Sequence, residues 1–250
     1  MDGRQARAPF RCWPAPQSDA GFAIGCGAAL AAYNNIVATQ PWHRRWYPLV
    51  NVGATVAVLA AAAVSGLTAA DIGLGRDRLR PGLRLGCPLA AAAAAGWLLT
   101  RVVPATRPML DDERITALHG GQISYQLLVR IPVGTVLWEE TAFRGVLQAA
   151  LRRVVPDAAV IAMTSAMFGI WHIRPAIEAA RVNRAAGDRR ATAATVVAAV
   201  AATTVGGVLL SLLRARSGSL AAPVLVHLVI NCGGALAAWS TAATGRYRGP

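Results

Sequence analysis

A series of long apolar runs constrains this chain more than any other feature. They are "AGFAIGCGAALAAYNNIVAT" (20–39), "PLVNVGATVAVLAAAAVSGLTAA" (48–70), the shorter, alanine-rich "CPLAAAAAAGWLLTRVV" (87–103), "AAVIAMTSAMFGIWHI" (158–173), "ATAATVVAAVAATTVGGVLLSLL" (191–213) and "SLAAPVLVHLVINCGGALAAW" (219–239). A helix crosses a bilayer core with roughly 20 such residues. Lipid satisfies no backbone hydrogen bonds, so only helices or closed barrels can span it, and these runs lack the alternation of barrel strands. The expected fold is all-α: a polytopic transmembrane helix bundle of about seven helices, counting the mixed segment 123–150. One membrane-embedded domain, 20–243, follows a polar N-terminal tail, 1–19, with a motif-bearing core at 123–239. The tail has no early apolar core, so 20–39 reads as a first membrane helix rather than a signal peptide.

The formal charge of +13 would suggest nucleic acid in a soluble protein. Here mean hydropathy is +0.43, and the 25 basic residues, all arginine, fall mostly in short loops beside anionic headgroups. No nucleic-acid partner is expected. Arginines lie on both sides in similar numbers, so the positive-inside bias assigns no orientation. Loop 71–86, "DIGLGRDRLRPGLRLG", reads as an interfacial segment, and loop 104–122 is the acidic one. Loop 174–190, with Arg174, Arg181, Arg184, Arg189 and Arg190, has room for a short amphipathic helix. Cys12, Cys26, Cys87 and Cys232 show no paired spacing and read as small buried hydrophobes.

Against this background the stretch "VLWEETAFRGVL" (136–147) is anomalous, because it holds two of only four glutamates in the chain. An ionisable group at the bilayer centre costs about 2.5–3.5 kcal/mol on insertion scales, so such groups face a protein interior or a wet cavity. Glu140 and Arg144 are spaced i, i+4 with the acid first, the favourable order for an ion pair. Glu139 is turned about 100° from its neighbour and is left without a partner. Pro132 removes a backbone donor and predicts a broken helix.

Two other runs carry polar groups. Phe168 and His172 share one helix face, as do His227 and Asn231. His43 and His119 fall in loops and read as solvated. A carboxylate, two imidazoles and an amide are groups that peptide hydrolysis requires. Glu139 and His172 would activate water, while His227 and Asn231 would donate to the oxyanion. Arg144, held by Glu140, would fix the acidic helix. The same atoms admit a rival: Glu139, His172 and His227 make a His₂Glu set of the kind that binds catalytic Zn²⁺. The residues alone do not choose between a metal-held water and one held by the carboxylate.

"EETAFR", "FGIWH" and "HLVIN" resemble the EExxxR, FxxxH and HxxxN motifs of the CPBP family, which contains the type II CAAX prenyl endopeptidases and the ABI proteins. The resemblance spans about 123–235 and keeps the motif order. It implies a multi-pass intramembrane endopeptidase of the cell membrane. Glu139 and His172 would activate water, and His227 and Asn231 would polarise the scissile carbonyl. Glu140 and Arg144 complete the first motif, and Phe168 opens the second. Glutamate-dependent chemistry without a cofactor is the favoured expectation, with Zn²⁺ as the alternative.

The expected partner is a membrane-associated protein or peptide substrate. The alanine-rich, lysine-free composition points to a GC-rich bacterial genome and away from prenylated tails. Two other classes compete: a non-catalytic immunity or chaperone-like membrane protein, and a proton or ion transporter, for which a second interrupted helix would be expected. The site also imposes a geometric condition. His172 ends its apolar run while His227 lies nearer mid-membrane, and even a five-residue mismatch is about 7.5 Å. The helix bearing His172 must therefore outrun its apolar stretch, or the helices must be staggered.

Overall fold

The computed structural model describes residues 17–183 and 188–246, and among these residues there are helices and no strands. We number the principal helices α1 (Gln17–Ala32), α2 (Tyr47–Val64), α3 (Arg76–Val102), α4 (120–151), α5 (Asp157–Trp171), α6 (Ile173–Val182), α7 (Arg189–Ser217) and α8 (Ala221–Arg246). Six helical segments are long and apolar enough to cross a membrane: Ser18–Val37, Tyr47–Val64, Arg76–Val102, Asp157–Val182, Arg189–Ser217 and Ala221–Ala243. With α4 this matches the expected count of about seven. Most of the tail 1–19, including Cys12, and Arg184 of loop 174–190 lie outside the described residues.

Helix α4 is the axis of the bundle. Every residue from 138 to 151 is buried, so its charges are solvated by protein rather than lipid. Its apolar side chains Trp138, Phe143, Val146 and Leu147 share a core with Cys26 and Leu30 of α1 and Val160, Phe168 and Trp171 of α5. Helices α1, α2, α5, α7 and α8 pack against this axis, and α3 joins the bundle along α8, while α7 runs along α5. Between lipid-embedded helices there is little hydrophobic drive, so association depends on close contact and small residues.

That principle corrects the reading of 71–86 as a loop. Helix α3 begins at Arg76 and continues through Pro81 and Pro88. A Cβ on Gly82 would lie 2.6 Å from Ser219 Oγ, and one on Gly86 would lie 3.0 Å from Ala222 Cα. The two glycines are one helical turn apart and let α3 lie flush on the start of α8. They serve helix packing, although in sequence they resemble turn residues. Cys87 is exposed on the same helix, which corrects its reading as a buried hydrophobe.

Other termini follow local chemistry. The Asp188 side chain accepts hydrogen bonds from the backbone N–H groups of Arg190 and Ala191 and so caps α7. At the far end Gly218 takes φ +66 and turns the chain into α8. The expected amphipathic helix in 174–190 is α6. It follows α5 with only His172 between them, so the helix bearing His172 outruns its apolar stretch.

Candidate active site

Pro132 has no N–H to give, and residues 126–136 answer by widening into a π-helical turn, in which Leu137 N–H donates to Pro132 O. Residues 137–140 return to α geometry and 141–147 widen again. Glu139, Glu140 and Arg144 lie on this irregular stretch, and all three are buried.

Glu140 is the hub of the polar cluster. Its Oε1 accepts from Arg144 Nη1 at 2.9 Å and lies 2.7 Å from His227 Nδ1. The ring of His227 must therefore carry a proton on Nδ1. Its Nε2 lies 3.1 Å from Asn231 Nδ2, as an acceptor for the amide when the ring is neutral. The spacings of Glu140 to Arg144 and of His227 to Asn231 thus become one chain of contacts: guanidinium, carboxylate, imidazole, amide.

Glu139 stands beside this chain. Its Oε2 is 3.9 Å from His227 Nε2 and has no hydrogen-bond partner among the described residues. The buried guanidinium of Arg144 leaves Nε and Nη2 similarly without partners. It lies instead over the ring of Phe168, 3.9 Å from the centroid, a favourable cation–π geometry. The same ring meets His172 edge-on at 4.6 Å and His227 at 6.0 Å. Phe168 thereby spaces the two histidines and covers the arginine.

His172 is half-buried at the joint between α5 and α6. Its Nδ1 is 2.7 Å from Phe168 O. A carbonyl only accepts, so Nδ1 carries the proton and Nε2 of the neutral ring keeps a lone pair. No hydrogen bond or ion pair links His172 to Glu139 among the described residues. The structure brings Glu139, Glu140, Arg144, Phe168, His227 and Asn231 together directly, and His172 through the shared Phe168 ring.

His227 spends both ring nitrogens on Glu140 and Asn231, and no three His, Cys, Asp or Glu among the described residues converge as metal ligands.

Sequence reasoning missed an outer layer. Asn34 Nδ2 donates to Trp171 O at 2.8 Å, next to His172. Asn51 Nδ2 donates to Gly134 O, in the turn before Glu139, while its Oδ1 accepts from Tyr33 OH. The Tyr33 hydroxyl also lies 3.1 Å from His43 Nε2. Tyr47 OH pairs with Thr135 Oγ1 at 3.0 Å. His43 is 3% exposed, which corrects its reading as a solvated loop residue. Burial holds its imidazole below the ordinary value; the Asn51 hydrogen bond opposes that effect and the charge of Arg130 adds to it. The signal was present in "AAYNNIV" and "PLVNVG", where amides interrupt apolar spans.

Residues 122–233 match the family model described as Rce1-like, type II CAAX prenyl endopeptidase. No curated protein and no solved structure matches the chain.

Proposed function

We propose, from the match of residues 122–233 to the Rce1-like, type II CAAX prenyl endopeptidase family model, that the protein is a glutamate-dependent intramembrane endopeptidase of the cell membrane. Its substrate is a membrane-associated protein or peptide. The observation that carries this reading is the division of labour between adjacent carboxylates: Glu140 Oε1 is engaged by Arg144 and His227 while its Oε2 is unpartnered, whereas neither oxygen of Glu139 takes part in a hydrogen bond among the described residues, and its nearest charged neighbour is His227 Nε2 at 3.9 Å.

Glu139 and the lone pair on His172 Nε2 hold the water. As the water oxygen bonds to the scissile carbonyl carbon, its proton passes to this pair. The carbonyl π electrons move onto oxygen. Asn231 offers the second hydrogen of its amide to that oxyanion. A neutral His227 has no donor to add, because its one proton serves Glu140. One such donor commonly lowers a barrier by about 2.7–4 kcal/mol. Collapse of the intermediate breaks the C–N bond, and the proton taken from water goes to the leaving nitrogen. A carboxylic acid and an amine result, and the acid then passes its proton to the amine, giving carboxylate and ammonium.

Glu139→Gln keeps the side-chain shape and removes the base. Comparing membrane-protein termini in cells carrying the native protein or this variant tests the proposal. New termini that vanish with Glu139→Gln are expected; the same termini at the same abundance in both would end the reading. Treatment of purified protein with a chelator checks the metal-free mechanism separately. Cleavage should continue, and loss of cleavage reversed by zinc alone would replace the carboxylate-held water with a metal-held one.

A further inference from the structure

Two rows of small residues face each other across α1 and α2. Gly21, Gly25 and Ala29 recur at one-turn spacing on α1, as do Gly53, Ala57 and Ala61 on α2, and all six are exposed walls of one groove. Elsewhere in the bundle helical glycines admit a neighbouring element: a Cβ on Gly86 would lie 3.0 Å from Ala222 Cα, and one on Gly207 3.1 Å from Ser165 Cα. A Cβ on Gly21, Gly25 or Gly53 would meet nothing within 4 Å, so these three serve no such contact. From Gly21 to Tyr33 the α1 wall is about 18 Å long at 1.5 Å per residue, a little more than one leaflet's half of a roughly 30 Å hydrocarbon core. The groove's volume of about 640 Å³ spread over that length is a channel about 7 Å across, whereas a helix with its side chains measures about 10–12 Å. One acyl chain fits it and a helix does not.

One end of this groove is basic and aromatic. Val50, the last wall residue of α2 at that end, donates its N–H to Trp46 O at 2.9 Å, so Trp46 stands one turn beyond it. The guanidinium of Arg45 lies 5.6 Å from the Trp46 ring centroid. Arg45 is exposed and forms no ion pair with a carboxylate among the described residues, whereas Arg44 is paired with Glu178 of α6 at 3.1 Å. Segment 38–46, "ATQPWHRRW", contains no acid. At the same end Trp138 of α4 lines the groove, its ring 5.0 Å from that of Tyr33. Trp138 is 4% exposed, and its Nε1 has no hydrogen-bond partner among the described residues.

We propose that the α1–α2 groove binds one acyl chain of an anionic phospholipid whose phosphate is held by Arg45. A guanidinium meets a phosphate through two parallel charge-assisted hydrogen bonds, and exposed Trp42 and Trp46 suit the headgroup level of the bilayer. The ester carbonyls that follow the phosphate are acceptors of the kind that Trp138 Nε1 lacks. A zwitterionic headgroup brings a second cation, which Arg44 and Arg45 repel, so the site favours a headgroup of net negative charge. The inference stands whether or not the protein cleaves peptides.

Native mass spectrometry of the full-length protein in non-ionic detergent, titrated with phosphatidylglycerol or phosphatidylcholine carrying identical palmitoyl chains, tests the site. Native protein should retain phosphatidylglycerol in preference to phosphatidylcholine. Arg45→Gln should weaken phosphatidylglycerol binding about fivefold, the worth of one arginine beside an anionic surface, and narrow its lead over phosphatidylcholine. Arg80→Gln, at an exposed position on α3, should change neither. Ala57→Phe fills the groove from an exposed wall position and should abolish retention of both lipids. Gly53→Leu, whose Cβ enters open space, repeats the block at a second position. Melting curves give an independent readout: phosphatidylglycerol should raise the Tm of the native and Arg80→Gln proteins by mass action and leave that of the two blocked variants unmoved. Equal binding of the two lipids by native protein, or phosphatidylglycerol binding that survives both blocks, would overturn the proposal. A dimer that the blocks convert to monomer, with lipid binding unchanged, would give the groove to a second copy of this chain instead.

Discussion

Two carboxylates one residue apart point about 100° apart around a helix, and in α4 that angle gives them different neighbours. Glu140 is fully buried between a guanidinium and an imidazole. Removing one member of a buried ion pair commonly costs about 3–5 kcal/mol, because the other charge is left uncompensated. Glu140→Gln should therefore lower the thermal stability of the detergent-solubilised protein by that order and release His227 from its tautomer. Glu139→Gln removes a charge without an ion-pair partner as close, so its melting temperature should equal or exceed that of the native protein. Melting curves of the two variants, read beside their activity, check the contrast; equal destabilisation by both would contradict it. The pairing of Glu140 with Arg144 was legible from spacing alone. Its bond to His227, 87 positions away, was not, because periodicity reports only neighbours on one helix.

At the scale of elements, the π-helical turn Tyr33–Val37 that follows α1, and α2, position the site from outside the matched motifs. Each lends an asparagine to a backbone carbonyl just before a proposed functional residue: Asn34 to Trp171 O and Asn51 to Gly134 O. Asn51→Leu would take the amide donor from that carbonyl and one of two partners from the Tyr33 hydroxyl, which keeps His43 Nε2. A buried polar group left unsatisfied costs about 1–3 kcal/mol, and a displacement of about 1 Å at a reacting group can cost 100-fold in rate. A large fall in kcat with KM little changed, beside modest destabilisation, is expected for Asn51→Leu. Asn51→Gln, which keeps both hydrogen-bonding functions, should recover part of the loss. A change in KM alone would assign Asn51 to substrate contact instead. Element boundaries were legible where hydropathy marks them. The first turns of α3 were not, because "RDRLRPGLRLG" is polar and contains proline, and what it packs against lies at the entry to α8, where Ser219 and Ala222 approach the glycines.

Over the whole molecule, the bundle was legible because lipid allows so few alternatives, whereas the burial of α4 and of His43 depends on how the other helices close around them. That closure gives a collective property, a response to acid shared by three groups between or beside the spans. His43 is held below its ordinary value by burial. For Asp71, burial works upward but is outweighed by hydrogen bonds from Thr68 and the charges of Arg153 and Arg214. For Asp112, burial is likewise outweighed, chiefly by Arg114. All three bind protons more weakly folded than unfolded. Between the two values the unfolded chain carries more protons, and stability rises with pH. Their contribution is complete above the unfolded values and is lost as pH falls: first His43, beginning near pH 6.5, then the aspartates, beginning near pH 3.9. Melting temperature should therefore decline in two stages on acidification. His43→Gln retains hydrogen-bonding capacity without titrating, so the first stage should flatten in that variant while the second persists. An identical first decline in both proteins would place the early acid response on other groups and remove His43 from the account.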